Sequence, residues 1–402
     1  MNPAIRVEAP SPHLLRTPLG ITLLAGLMLL PMIAGRWYAG GMDFSRFVVA
    51  GDLFTDSDAV PVPIQVLSGP GYDGQFFCRL AFDPCTSQKT DFGITLDSPS
   101  YRHQRIAYPA LAWLLSLGRP HFVPAALVAV NCAAMLGMAW AVSRIALAAG
   151  MPAWAGLLPA LFGGFLLSTG RDLAEPLCGL FVSLAVLAFL HRHTVPCVVC
   201  LSGAVLTREA ALLTAVAVLV ASIRDDLSLR KPRPAAWIAM AVPVLVFACW
   251  QLVLRHNWGA FPVLDAPPNR GLPLVGFAEQ LLATPYLARP LESAVQMLYL
   301  AWHIWLGIEV LTSMFISLPG QDDVQRRTLA WVRTGWGLWV MLASSFTTLI
   351  WVEEWAFARI LGEWSLLGLI SMVLVRRLPR RPFLVLTLIL YGGSVLRLIL
   401  HP

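Results

Sequence analysis

"PLGITLLAGLMLLPMIAG", residues 18 to 35, carries no charged side chain. Crossing the hydrocarbon of a bilayer takes roughly 20 mostly apolar residues in a helix. Thr17 and Pro18 just ahead of the run supply an N-cap and a first-turn proline, so a helix is expected to begin there. No small-residue cleavage site follows it, and the stretch reads as an uncleaved anchor. Arg6, His13 and Arg16 then lie on the inner side. Similar stretches recur as far as residue 400, and the whole composition agrees: 57% hydrophobic, 13% charged, mean hydropathy +0.68. That is beyond the range of an ordinary soluble domain.

The expected fold is therefore an all-α polytopic membrane protein, a single membrane domain over residues 1–402. Further spans are expected near 121–147, 153–168, 174–190, 235–254, 294–316, 329–350, 360–375 and 382–400. The segment 195–222 has Thr207, Arg208 and Glu209 at its midpoint, between two basic stretches, "HRHT" at 191–194 and "RDDLSLRKPRP" at 224–234. Both should face the cytoplasm, which favours two short helices with Arg208 and Glu209 at the tip over one long helix with an ion pair inside it. Counting both halves gives about eleven transmembrane or re-entrant helices. Residues 37–105 become a large first periplasmic loop. Outer segments 255–292 and "WVEEWAFARILGEW", 351–364, follow, the latter with tryptophans suited to an interface.

The formal charge of +6 is spread through short loops and has no aromatic-basic patch. It reads as positive-inside bias, with the bilayer and not nucleic acid as partner. Cys197 and Cys200 sit in an apolar stretch and read as packing. Cys78 and Cys85 in the outer loop are a candidate disulfide.

That loop holds eight of the 23 acidic residues: Asp43, Asp52, Asp56, Asp58, Asp73, Asp83, Asp91 and Asp97. "SRFVVAGDLF" and "DGQFFCRLAF" are expected to form short amphipathic helices on the membrane surface. Asp56 and Asp58 read as solvated loop. Asp73, in "GYDGQFFCRLAFDP" (71–84), has glycines on two sides, ring faces from Tyr72 and Phe76, and an amide from Gln75; "YDG" is also a plain turn. Downstream, "SPSYRHQRIAYP" (98–109) brings Arg102, His103 and Arg105 to the start of an apolar run. Arginine forks there match phosphate oxygens, and they also suit snorkelling anchors.

Taken together, "GYDGQFFCRLAFDP…SPSYRHQRIAYPALAWLL" resembles the first periplasmic loop of bacterial integral-membrane glycosyltransferases of the GT-C superfold and, more distantly, GPI mannosyltransferases. Weaker echoes are "LAEP" at 173–176, "LTRE" at 206–209 and "FARIL" at 357–361. The resemblance implies sugar transfer from a polyprenyl-phosphate donor to a glycan, lipid or protein acceptor, at the periplasmic face of the inner membrane. It implies Asp73 as catalytic base, with Tyr72, Gln75, Arg102, His103, Arg105 and Arg359 around the substrate. Asp43, Asp52, Arg208 and Glu209 are secondary candidates. No metal ligand set is expected, although a divalent cation at Asp43 or Asp52 suits a minority of relatives.

Such transfer needs a base for the acceptor's proton and cations for the departing phosphate. Two other classes fit the same charges. A transporter or flippase would place Arg171, Glu175, Arg208, Glu209, His303 and Glu309 at membrane depth. A non-catalytic assembly protein would keep the fold and lose the chemistry.

Overall fold

A computed structural model describes residues 13–283, 290–316 and 322–401; Arg6, one of the inner-side residues, and part of the 255–292 segment lie outside them. The described chain is helical apart from four two-residue strands in the first loop. Helix α1, Pro18–Ala39, starts where the sequence places it: the Thr17 hydroxyl accepts from the Gly20 N–H. Arg36 in its last turn is fully buried. It donates to the Leu398 and His401 carbonyls at 2.6 and 2.9 Å and to that of Arg46 at 3.0 Å, so one guanidinium fastens the loop's first residues to the end of the chain.

The loop then folds as a compact cap. Its parallel strand pair joins Ala50–Gly51 to Val66–Leu67, and an antiparallel hairpin joins Thr90–Asp91 to Ile94–Thr95. Between them lies α2, Gly74–Phe82; α3, Pro99–His103, and α4, Ala107–Leu115, follow. Two expectations change here. "SRFVVAGDLF" forms a 3-10 turn and a strand, because its backbone pairs with residues 66–72 instead of with itself. Gly51 and Gly71 make that approach necessary: a Cβ on Gly51 would stand 2.2 Å from the Gly71 nitrogen. "GQFFCRLAF" is a helix, but all nine residues are buried, so it is a core element of the cap and not a surface float. Cys78 is buried, Cys85 exposed, and both are free thiols.

Beyond the loop run α5, Val123–Ala148; α6, Leu157–Ala160; α7, Gly163–Gly170; α8, Glu175–Leu190; α9, Thr194–Thr207; and α10, Ala211–Ser228. Next come α11, Pro234–Trp258; α12, Pro262–Asp265; α13, Val275–Ala283; α14, Pro290–Ser313; and α15, Asp323–Ser344. The chain closes with α16, Thr348–Trp351; α17, Glu354–Ile360; α18, Gly362–Leu374; and α19, Arg381–Leu400. Among the described residues five helices are long and apolar enough to span a membrane, α1, α5, α11, α14 and α19, which is the mark of a membrane protein. The count rises to seven if the bent pairs α6–α7 (54°) and α17–α18 (50°) are each one span. This is short of eleven for a physical reason. Helices α8 and α9 are short, and α10 and α15 carry charges at their ends. Asp226 in α10 accepts from Arg327 of α15 at 2.6 Å and also pairs with Arg233.

Helix breaks interrupt the bundle at two charged stretches. Between α9 and α10 the chain leaves helical geometry at Arg208 (φ −148°, ψ 131°), as the "TRE" reading expects. "WVEEWAFARILGEW" runs from the last residue of α16 through α17 to the start of α18, and two of the tryptophans expected at an interface, Trp355 and Trp364, are buried in the bundle.

Candidate functional site

Asp73 occupies the N-cap position of α2, yet its side chain makes no capping bond. It points instead into a lattice of ions. One carboxylate oxygen accepts from Arg102 Nη1 at 2.8 Å, the other from Arg359 Nη2 at 3.0 Å. Arg102 is itself clamped by Asp97 through a bidentate pair at 2.8 and 2.7 Å, and its guanidinium lies 4.4 Å from the centre of the Phe76 ring. Arg359 reaches on to Glu175 at 3.1 Å. Glu175 stands 3.8 Å from Arg208, which donates to Glu363. Arg105 forms a second bidentate pair with Glu209, at 2.9 and 2.7 Å, and donates to the Tyr101 hydroxyl at 2.7 Å.

The lattice draws the first loop, the α9–α10 break and the α17–α18 bend to one place. Burial alone would raise the Asp73 carboxyl, but Arg102 and Arg359, with Arg105 farther away, outweigh it and hold the group well below the usual carboxylate range. Asp73 is ionised at any neutral pH.

Several of these residues line a cavity of about 1120 Å³: Asp73, Arg102, Arg105, Arg208, Glu209 and Arg359, together with Arg270 and the neutral groups Tyr101, Gln104 and Gln251. Apolar side chains line it too, among them Val244, Phe247 and Leu252 of α11 and Trp339 and Leu342 of α15. The segment after α11 contributes residues 261–263 and 266–270. Ser100 donates to Asp265 of α12 through its N–H (3.1 Å) and its hydroxyl (2.9 Å).

The remaining expected residues lie outside the cavity lining. Gln75 is fully buried: its carbonyl accepts from the Gly51 N–H and the Thr55 hydroxyl, and its amide donates to the Pro70 carbonyl at 2.7 Å. His103 accepts from the Trp258 indole at 3.0 Å, which puts its own proton on Nε2, 2.9 Å from the Pro84 carbonyl; it pins the loop to α11. Tyr72 stacks under Arg171 (4.4 Å) and Arg359 (5.1 Å) and so orients the latter. Asp43 accepts from the Ser45 N–H and hydroxyl, and Asp52 from the Gly69 N–H, so both serve loop turns. Among the described residues, no group of three His, Cys, Asp or Glu side chains is arranged to hold a metal ion.

Asp97, Tyr101 and Glu363 complete the lattice and escaped the sequence reading. Glu363 had a usable signal, an acid inside the apolar run "ILGEWSLLGLI". Asp97 and Tyr101 had none beyond closeness to Arg102. No protein-family model matches the chain, and no curated protein matches it either.

Proposed function

We propose that the protein is a membrane glycosyltransferase that moves a sugar from a polyprenyl-phosphate donor to an acceptor hydroxyl, with this cavity as its active site. The observation that carries the reading is that one cavity is lined both by the ion lattice around Asp73 and by apolar side chains of α11 and α15. A lipid-linked sugar likewise joins a polar headgroup to an apolar chain, and a cavity of this size suits a large ligand.

In the proposed step the acceptor oxygen bonds to the anomeric carbon as the bond from that carbon to the phosphate oxygen breaks. The phosphate leaves with the electron pair, and Asp73 takes the acceptor's proton. Two guanidiniums make Asp73 a weak base at rest. The demand on it is late, however, because an acceptor oxygen bonded to the sugar is an oxonium and gives up its proton readily. Until then Asp73 orients the hydroxyl. A single displacement of this kind inverts the anomeric carbon.

The loop 37–105 and the cavity would face the periplasm from the inner membrane. Helices α8, α9, α10 and α15 would complete about eleven crossings. The test is the full-length protein in lipid nanodiscs with radiolabelled mannosyl, glucosyl, galactosyl and arabinosyl polyprenyl phosphates and a membrane lipid extract as acceptor. One donor should release polyprenyl phosphate in step with an inverted glycosidic product. No release from any of them would overturn the reading. A flippase is the second reading, favoured by the two bent helix pairs; transbilayer movement of an intact lipid-linked sugar would identify it.

A further inference from the structure

The arginines that line the cavity are not equally available. Arg102 is held by Asp73 and Asp97, Arg105 by Glu209, Arg208 by Glu175 and Glu363, and Arg359 by Asp73 and Glu175. Four guanidiniums thus face five carboxylates, and the fixed lattice has no positive charge to spare. Pulling one arginine toward an incoming anion would strand a buried or part-buried carboxylate, which is costly. A ligand phosphate therefore needs a different partner.

The geometry points to Arg270 as the phosphate receptor of this cavity, and to its single uncompensated charge as the feature that selects a lipid monophosphate over a diphosphate. The inference rests on the glycosyl-transfer reading. Arg270 lines the cavity, its side chain is exposed, and it has no carboxylate partner among the described residues. Its backbone is nevertheless fixed. Residues 269–274 are stitched to the end of α15: the Thr347 N–H donates to the Asn269 carbonyl at 3.2 Å, that of Gly271 to Ser345 at 2.7 Å, and that of Leu274 to Ser344 at 2.6 Å. Arg270 itself bridges to Phe346, whose ring also lines the cavity.

A positioned backbone with an unspent five-donor fork is an anion site in waiting. From there Phe346, Leu342 and Trp339 lead along the apolar wall, the path a prenyl chain would take away from its phosphate. A lipid monophosphate meets Arg270, which among the described residues is the lining cation without a carboxylate partner, whereas a diphosphate brings further charge with no such partner there.

The test measures binding to the full-length protein in nanodiscs with four probes: a polyprenyl monophosphate, the matching diphosphate, the free polyprenol, and inorganic phosphate. Wild type should prefer the monophosphate to the diphosphate, and inorganic phosphate should fail to displace it at equal concentration. Arg270→Ala should weaken the monophosphate at least about tenfold, the loss expected for one charged hydrogen-bonding partner, with polyprenol binding unchanged. Arg270→Lys should recover part of it. Equal monophosphate binding by wild type and Arg270→Ala would overturn the inference and leave the proposed function standing. Preference for the diphosphate would overturn the selectivity, and displacement by inorganic phosphate would make the site one for free anions. Failure of wild type to bind either lipid would overturn the proposed function, and this inference with it.

Discussion

An aspartate at the first position of a helix ordinarily turns back to accept from its own helix's free N–H groups. Asp73 forgoes that bond and spends both oxygens on arginines from α3 and α17. The consequence is measurable in stability. Its folded-state pKa lies below the unfolded value of about 3.9, so the stabilisation is fully present above that value and is lost as pH falls through it toward the folded one. Asp73→Asn should therefore melt below wild type at pH 7, by about 1–3 kcal/mol of stability, with the gap closing as the pH is taken below about 4. Thermal unfolding in detergent across that range checks it. The sequence made Asp73 conspicuous because acids are scarce and glycines flank it. The same logic misled at Gln75. An amide beside an aspartate looks alike whether it meets a sugar or a loop, and only the fold shows that Gly51, Thr55 and Pro70 claim it.

Long helices were legible as apolar runs because their signal is local, and the Thr17 cap and the break at Arg208 fell where the residues place them. The stretch 45–54 was misread as helix because its partner strand is a parallel one at residues 66–67, beyond the reach of any periodicity. Charged ends in α10 and α15 mark helices tied to each other by the Asp226–Arg327 pair, which apolar counting alone undervalues. At this scale the placement of α2 is the sharpest claim. A Cβ on Gly74 would stand 2.5 Å from both the Arg171 and Val48 carbonyl oxygens, two backbone atoms that cannot move aside cheaply. Gly74→Ala should lower thermal stability by about 1–3 kcal/mol, the range for overpacking, and reduce binding of any ligand that touches Asp73. A variant as stable as wild type would mean that α2 packs less tightly than described.

In the whole molecule the site is an assembly of segments far apart in the chain, joined by the Arg105–Glu209, Arg208–Glu363 and Arg359–Asp73 pairs. No spacing rule reaches across such distances, which is why the sequence marked several of these residues but not their convergence. The proposed arrangement requires the first loop and the α10–α11 turn to lie on opposite sides of the bilayer. Single cysteines at Asp58 and Lys231, both exposed, should be labelled by an impermeant reagent from opposite faces; labelling from the same face would break the proposed topology. The central claim is that Asp73 accepts the acceptor's proton during sugar transfer, and it is tested most directly by the turnover of purified Asp73→Asn protein, assayed below the melting temperature of both forms. Turnover should fall roughly 10²-fold or more with binding of the polyprenyl-phosphate sugar retained. Transfer at the wild-type rate would contradict it and leave Asp73 a strut between two arginines.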